Sequence, residues 1–214
     1  MADEGPTSLE RFLRGILPEN PVYRQLLGMC PTLAVTNGMR EAMTMAGAVT
    51  FVLLCANVIT SLIRRFLKPH LRILIFTLTI AAFVTIADRF LAAFLPVMSK
   101  RLGPYVPLII VNCIIICRCE VCASKQGLAQ AVSDALGQSV GFALALASIA
   151  TVREVLGSGT WFERPLLPES IWPRWGIMLQ PPGAFLTLGL LLGGANRVAS
   201  WFSGRKEAPG TSHG

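Results

Sequence analysis

The sequence predicts an all-α integral membrane protein with six transmembrane segments in an inverted 3+3 repeat, the first and fourth of them broken half-helices. Three observations lead there. Hydrophobic residues make up 53% of the chain and charged residues 14%, well below the roughly 25% charge of soluble domains. Four apolar runs, at 42–63, 71–95, 129–152 and 178–198, reach the ~20 residues that a spanning helix needs. Two further runs, 24–37 (RQLLGMCPTLAVTN) and 105–118 (YVPLIIVNCIIICR), are too short. A helix of about 13 residues covers roughly 20 Å, against a hydrocarbon core of ~30 Å. Each short run has a cysteine near its middle and a proline nearby: Cys30 with Pro31, and Cys113 with Pro107. Broken segments at matching places in two halves point to a site at the repeat interface.

Taken in order, the start MADEGPTSLE is acidic and lacks an apolar h-region, so no cleaved signal peptide is expected. Thr7 to Glu10 has the capping-box pattern. After it Leu9, Phe12, Leu13, Ile16 and Leu17 recur at helical spacing, which predicts an amphipathic helix lying on the membrane surface over residues 1–20. The first three-span repeat covers 21–99. It comprises the first broken segment, the span 42–63 and the span 71–95, which carries Asp88 and Arg89. The second, inverted repeat covers 100–200. VMSKRLGP reads as the link into its broken segment, and CRCEVCASKQG as a polar turn after it. The span 129–152 is rich in Gly, Ala and Ser, which let helices pack closely in lipid. The long link 157–177 holds Trp161, Trp172 and Trp175, fitting an interfacial aromatic belt. The last span starts or kinks at Pro181 and Pro182, and 201–214 reads as a disordered tail.

The net charge of +7 would suggest nucleic acid in a soluble protein, but here the cations sit at span ends, so no nucleic-acid partner is expected. Twelve Lys and Arg fall on the ends that carry the termini, against six on the opposite ends. Both termini are therefore predicted cytoplasmic, in a multi-pass protein embedded in membrane lipid.

Chemistry centres on the cysteines. Cys30 and Cys113 lie 83 residues apart, one entering from each side, and both fall near the midplane. Thiolates are soft ligands that select iron–sulfur clusters, zinc or Cu(I). A [2Fe–2S] cluster takes four cysteines and this pair supplies two, so the others come from a partner chain or from Cys117, Cys119 and Cys122. The plain alternative is a pair of unligated membrane cysteines. Cys55, inside a long span, reads as packing. Asn37, Asn57 and Asn112 offer carbonyls to a cation or bonds between helices. Asp88 lines an ion route or snorkels as a pair with Arg89 near the interface, and Glu120 beside Arg118 lines an ion route or anchors a link. CRCEVC is either a local metal site or a turn with free thiols. No nucleotide loop, flavin-attachment motif or ferredoxin pattern occurs, and no catalytic residue is expected on this chain.

The segments NPVYRQLLGMCPTLAVT, VPLIIVNCIIICRCEVCASK, REVLGSGTWF and PPGAFLTLGL resemble the six-span membrane subunits of the Rnf and Nqr ion-pumping redox complexes over nearly all of residues 20–200. The resemblance is to the E subunit of Rnf and its counterpart, the D subunit of Nqr; PPGAF and VPLIIVNC favour the Rnf form. It implies a component of an ion-translocating oxidoreductase in the bacterial inner membrane, with no complete active site of its own. A paralogous partner of opposite topology, similar to the A subunit of Rnf, would contribute a second pair of cysteines, and the B, C, D and G subunits of Rnf would complete the complex. Cys30 and Cys113 match the family's ligands to a shared intramembrane [2Fe–2S] cluster, through which electrons cross while Na⁺ or H⁺ is moved. Cys117, Cys119 and Cys122 depart from the family pattern and inherit no role. A redox-free secondary transporter on the same inverted repeat is the competing expectation.

Overall fold

A computed structural model describes residues 12, 13, 15, 19–64, 71–162, 164–165 and 176–203. Its elements are almost all helical: α1 (Met29–Val35), α2 (Met39–Ile63), α3 (Arg72–Phe94), α4 (Pro96–Leu102), α5 (Pro107–Ile110), α6 (Cys113–Arg118), α7 (Leu128–Ser158), α8 (Gly176–Leu179) and α9 (Pro181–Ser203). A 3₁₀ turn (Gly103–Tyr105) joins α4 to α5, a π-turn (Cys119–Ala123) extends α6, and a two-residue hairpin, β1 (Thr160–Trp161) with β2 (Arg164–Pro165), follows α7. Helices α2, α3 and α7 are long and apolar enough to cross a bilayer. A fourth crossing results if the pair Pro96–Tyr105 and Pro107–Ala123, bent by 57°, counts as one broken span.

The core is the antiparallel pair α2–α7. Met39 N–H donates to Glu154 Oε2 (2.8 Å) at one end, and Arg64 Nη1 donates to Gln126 O (2.5 Å) just before α7 at the other. Small residues let the pair close up: Ala42, Ala46, Ala56, Ala131, Ala135, Ala145 and Ala150 are all buried. Close approach without bulky side chains is how helices associate where lipid supplies no hydrophobic drive. Helix α3 lies outside this pair. It buries Phe76, Ile80 and Val84 on one side and leaves Ile73, Leu74, Leu78, Ile86, Phe90 and Phe94 exposed on the other.

The small residues of α7 also seat the N-terminal segment. A Cβ on Gly137 would stand 2.6 Å from Phe12 O, and a Cβ on Gly15 would stand 2.6 Å from the Gly137 carbonyl carbon. Asn20 then fastens the chain, its Nδ2 donating to Gly141 O (3.0 Å) while Oδ1 accepts from Val22 N and Tyr23 N (3.1 Å each). Most of the expected amphipathic helix lies outside the described residues.

Three boundaries differ from the sequence reading. VMSKRLGP is not a link: Pro96, at the first helical position where its missing N–H costs nothing, starts α4. CRCEVC is not a turn. The chain stays helical through it, with Ser124 N–H bonding to Cys119 O (3.0 Å) across the wider π step, and Cys119 and Cys122 are buried. The fifth span runs on to Ser158, ended by Gly159 in the left-handed conformation (φ 65°), a common glycine stop. Helix α9 begins at Pro181, where the last run was expected to start or kink, and runs to Ser203; residues 204–214, Trp172 and Trp175 lie outside the described residues.

Candidate metal centre at the two helix breaks

In each short run a helix starts beside the cysteine, at Met29 and at Cys113, and the two starts meet. The chain enters α1 through Gly28, whose left-handed backbone (φ 74°) favours glycine. Its environment demands glycine as well, since a Cβ there would stand 2.5 Å from Ile114 Cδ1 and 3.1 Å from Phe142 Cε2. In the second run α5 stops at Ile110, and Val111 and Asn112 leave the helix. Asn112 restarts it as an N-cap, its Oδ1 accepting from Ile114 N (3.1 Å). Gly28 N–H then donates to Cys113 Sγ at 2.8 Å. This bond ties the start of one half-helix to the start of the other, across 85 residues of chain.

Cys113 is the first residue of α6, and Cys30 the second of α1. Each thiol lies in the first turn of its half-helix. Cys30 is exposed on this chain and Cys113 half-buried. Among the described residues no group of three or more His, Cys, Asp or Glu side chains could hold a metal ion. The donor set is thus two soft thiols with one of them open to the outside of the fold. Two such donors fit half of a four-thiolate cluster, and no complete donor set is found among the described residues.

The other cysteines divide. Cys117 is half-buried one helical turn beyond Cys113, on the same face. Cys119 is buried and hydrogen-bonded to Thr60 on α2, and Cys122 is buried with Sγ 3.4 Å from Gln126 Oε1. Cys55 is half-buried within α2.

Of the polar residues singled out for an ion route, Asn37 is exposed with its Oδ1 accepting from Arg153 Nη2 (2.7 Å), and the Asn112 Oδ1 is used by its cap. Asp88 is half-buried on α3, with Arg89 exposed. Glu120 faces not Arg118 but Arg72 on α3 (3.3 Å). Residues two apart on a helix do not face each other. Arg118 instead turns inward to Asp134 on α7 (3.4 Å), both nearly buried. Asn57 is fully buried on α2.

The sequence reading missed the pair Arg153–Glu154. Arg153 is fully buried, and its guanidinium donates to Thr36 Oγ1 (2.6 Å), Asn37 Oδ1 (2.7 Å), Met178 O (3.1 Å), Leu33 O and Gln180 O (3.4 Å each). Glu154 accepts the Met39 N–H that opens α2 and the Thr160 hydroxyl (3.3 Å). Two adjacent opposite charges near the end of an apolar helix were the available signal.

Long apolar helices, two helix breaks in contact and a thiol at each define a class of membrane protein built around paired half-helices. The chain belongs to the family described as Rnf-Nqr subunit, membrane protein, which matches residues 8–192. It is 43% identical over 185 residues to the E subunit of the Na(+)-translocating ferredoxin:NAD(+) oxidoreductase complex of Acetobacterium woodii, covering 86% of this chain and 94% of that one. It is 42% identical over 195 residues to the E subunit of the ion-translocating oxidoreductase complex of Methanosarcina acetivorans, covering 89% and 90%. To the D subunit of the Na(+)-translocating NADH-quinone reductase of Aeromonas salmonicida it is 39% identical over 198 residues, covering 91% and 94%.

Proposed function

We propose that this chain is the E subunit of an Rnf-type ion-translocating oxidoreductase, and that Cys30 and Cys113 supply half of the ligands to an intramembrane [2Fe–2S] cluster shared with a paralogous partner. The supporting observation is the hydrogen bond from Gly28 N–H to Cys113 Sγ, which joins the two half-helix starts and leaves Cys30 open to a neighbour. When bound, the cluster would accept and release one electron at membrane depth. The chain's own residues do the rest. Cys30 and Cys113 bind, and the Gly28 amide stabilises negative charge on the Cys113 sulfur. Asn112 fixes the first turn that carries Cys113, and Ile114, Ile115 and Phe142, all buried, exclude water behind it.

In this reading the six segments form an inverted 3+3 repeat with both termini cytoplasmic in the inner membrane. The moving ion, Na⁺ or H⁺, passes Glu120 and Asp88, with Asn37 and Asn112 at the ends of the half-helices. Electron donors and acceptors bind other members of the complex.

The experiment is iron and sulfide analysis with EPR on the purified complex carrying Cys30→Ala or Cys113→Ala. Loss of the cluster in both variants is expected. An iron-free wild-type complex that still moves ions would replace this reading with a secondary transporter. Full iron in Cys113→Ala would move the site elsewhere. Reporter fusions that put residue 214 outside the cytoplasm would overturn the orientation.

A further inference from the structure

Helix α1 has seven residues, about 10 Å of helix, and helices this short are not stable alone. Its last carbonyls have no intrahelical partners, and no basic residue of its own lies in its last turn. Thr36 Oγ1 covers one of them, bonding to Thr32 O (2.6 Å). The cation that belongs at such an end comes from far along the chain: Arg153 reaches Leu33 O, Thr36 Oγ1 and Asn37 Oδ1. Further contacts, to Met178 O and Gln180 O, hold it from the segment that precedes α9. One buried guanidinium therefore fixes three segments of chain at once, with a planar fork that an ammonium cannot reproduce. The next residue, Glu154, holds the first N–H of α2, so residues 36–38 between α1 and α2 are gripped on both sides.

We infer that Arg153 is the positioning residue for Cys30: it pins the far end of the half-helix whose first turn carries that thiol. This rests on the reading of Cys30 as a cluster ligand. The other end of α1 is fixed by Gly28 against Cys113 and Ile114, so with Arg153 in place the seven-residue rod is held at both ends and the Cys30 Cα has no freedom to retreat. Losing the fork frees one end. Groups that orient metal ligands from outside the coordination shell typically cost 10–100-fold in metal affinity when lost, and the same scale is expected here.

The test uses the assembled complex with Arg153→Lys, Arg153→Met and Asn37→Ala. Three readouts are taken: hydrogen exchange of the 29–37 peptide, the rate of iron loss to a chelator, and the EPR line shape of the reduced cluster. For Arg153→Lys, faster exchange at 32–37, roughly 10–100-fold faster iron loss and a broadened line are expected, with Asn37→Ala smaller in the same direction. Arg153→Met is expected to lose the cluster; if it does not assemble, Arg153→Lys and Asn37→Ala carry the decision. Unchanged exchange in Arg153→Lys would show that the fork does not hold α1. Faster exchange with wild-type iron retention and line shape would make Arg153 a purely structural residue. Either result overturns the inference. Failure of the cluster reading looks different: Cys30→Ala would then retain its iron, whatever Arg153 does to exchange.

Discussion

Gly28→Ala probes the point where the two breaks meet. The substitution asks an L-residue to hold φ 74°, at about 1–2 kcal/mol. It also places a Cβ 2.5 Å from Ile114 Cδ1; forcing a methyl group into a packed site costs about 1–3 kcal/mol. Together these come to roughly 2–5 kcal/mol, or on the order of 5–15 °C in the unfolding midpoint of a chain this size. Relief of the clash would come from the helix opposite. Ile114→Val removes Cδ1 and on its own costs about 0.5–1.5 kcal/mol. If the contact is as described, the double variant Gly28→Ala/Ile114→Val is more stable than the sum of the single effects, by a coupling of about 0.5–3 kcal/mol. The assay is the thermal midpoint of the detergent-solubilised complex, followed by size-exclusion fluorescence. Strict additivity of the two substitutions would mean that Gly28 and Ile114 do not touch, and the joined-breaks geometry would fall with them.

Gly137→Val should release the N-terminal segment, because even a Cβ at 137 meets the Phe12 backbone oxygen at 2.6 Å; faster hydrogen exchange at 12–20 with little change in α2 is the expected signature. Asp134→Ala should destabilise by about 3–5 kcal/mol, since it strands the buried Arg118 charge, whereas Arg118→Met/Asp134→Leu should recover much of that loss in a heat-aggregation assay. Glu120→Gln removes only a half-exposed contact to Arg72 (side chains 29% and 42% exposed), so its stability cost should stay under about 1 kcal/mol in the same assay. Cys119→Ala and Cys122→Ala should leave the iron content unchanged, because those thiols turn to Thr60 and Gln126 rather than to Gly28; loss of iron in either would relocate the centre.

How far the sequence could be read follows from the kind of signal each feature leaves. The ends of α2 and α3 fall within three residues of the apolar runs, and both breaks fall within the short runs, because proline, glycine and run length are local signals. The helical CRCEVC was also legible. No glycine or proline occurs between Asn112 and Gly127, and cysteine is a small apolar residue, so polarity at Arg118 and Glu120 was the wrong cue. The partners of those two residues were not legible, since Arg72 and Asp134 lie 48 and 16 positions away. The docking of the N-terminal segment on Gly137 and Gly141 was half legible: the small residues announced a close approach, not what would approach.

Arg153 shows the limit most sharply. Counting Lys and Arg by their place near span ends assigned it to the link after the fifth span, where a cation reports orientation. It is instead fully buried, and a buried guanidinium needs every donor matched. Helix α7 continues past it to Ser158, so Arg153 sits inside the helix, level with the end of α1. Removing it from the tally leaves the charge asymmetry in the same direction, and the predicted orientation does not depend on it. The break in the first segment makes the need for such a residue. A helix that stops short within an apolar fold exposes carbonyls that neither lipid nor its own short length can satisfy. The second break meets the same need differently: α6 does not stop but passes through the π-turn toward the polar end at Gln126, which Arg64 then holds. The first half-helix ends against a buried cation and the second runs on to the surface, so the two breaks share their cysteines and their meeting point but not the way their backbones are satisfied.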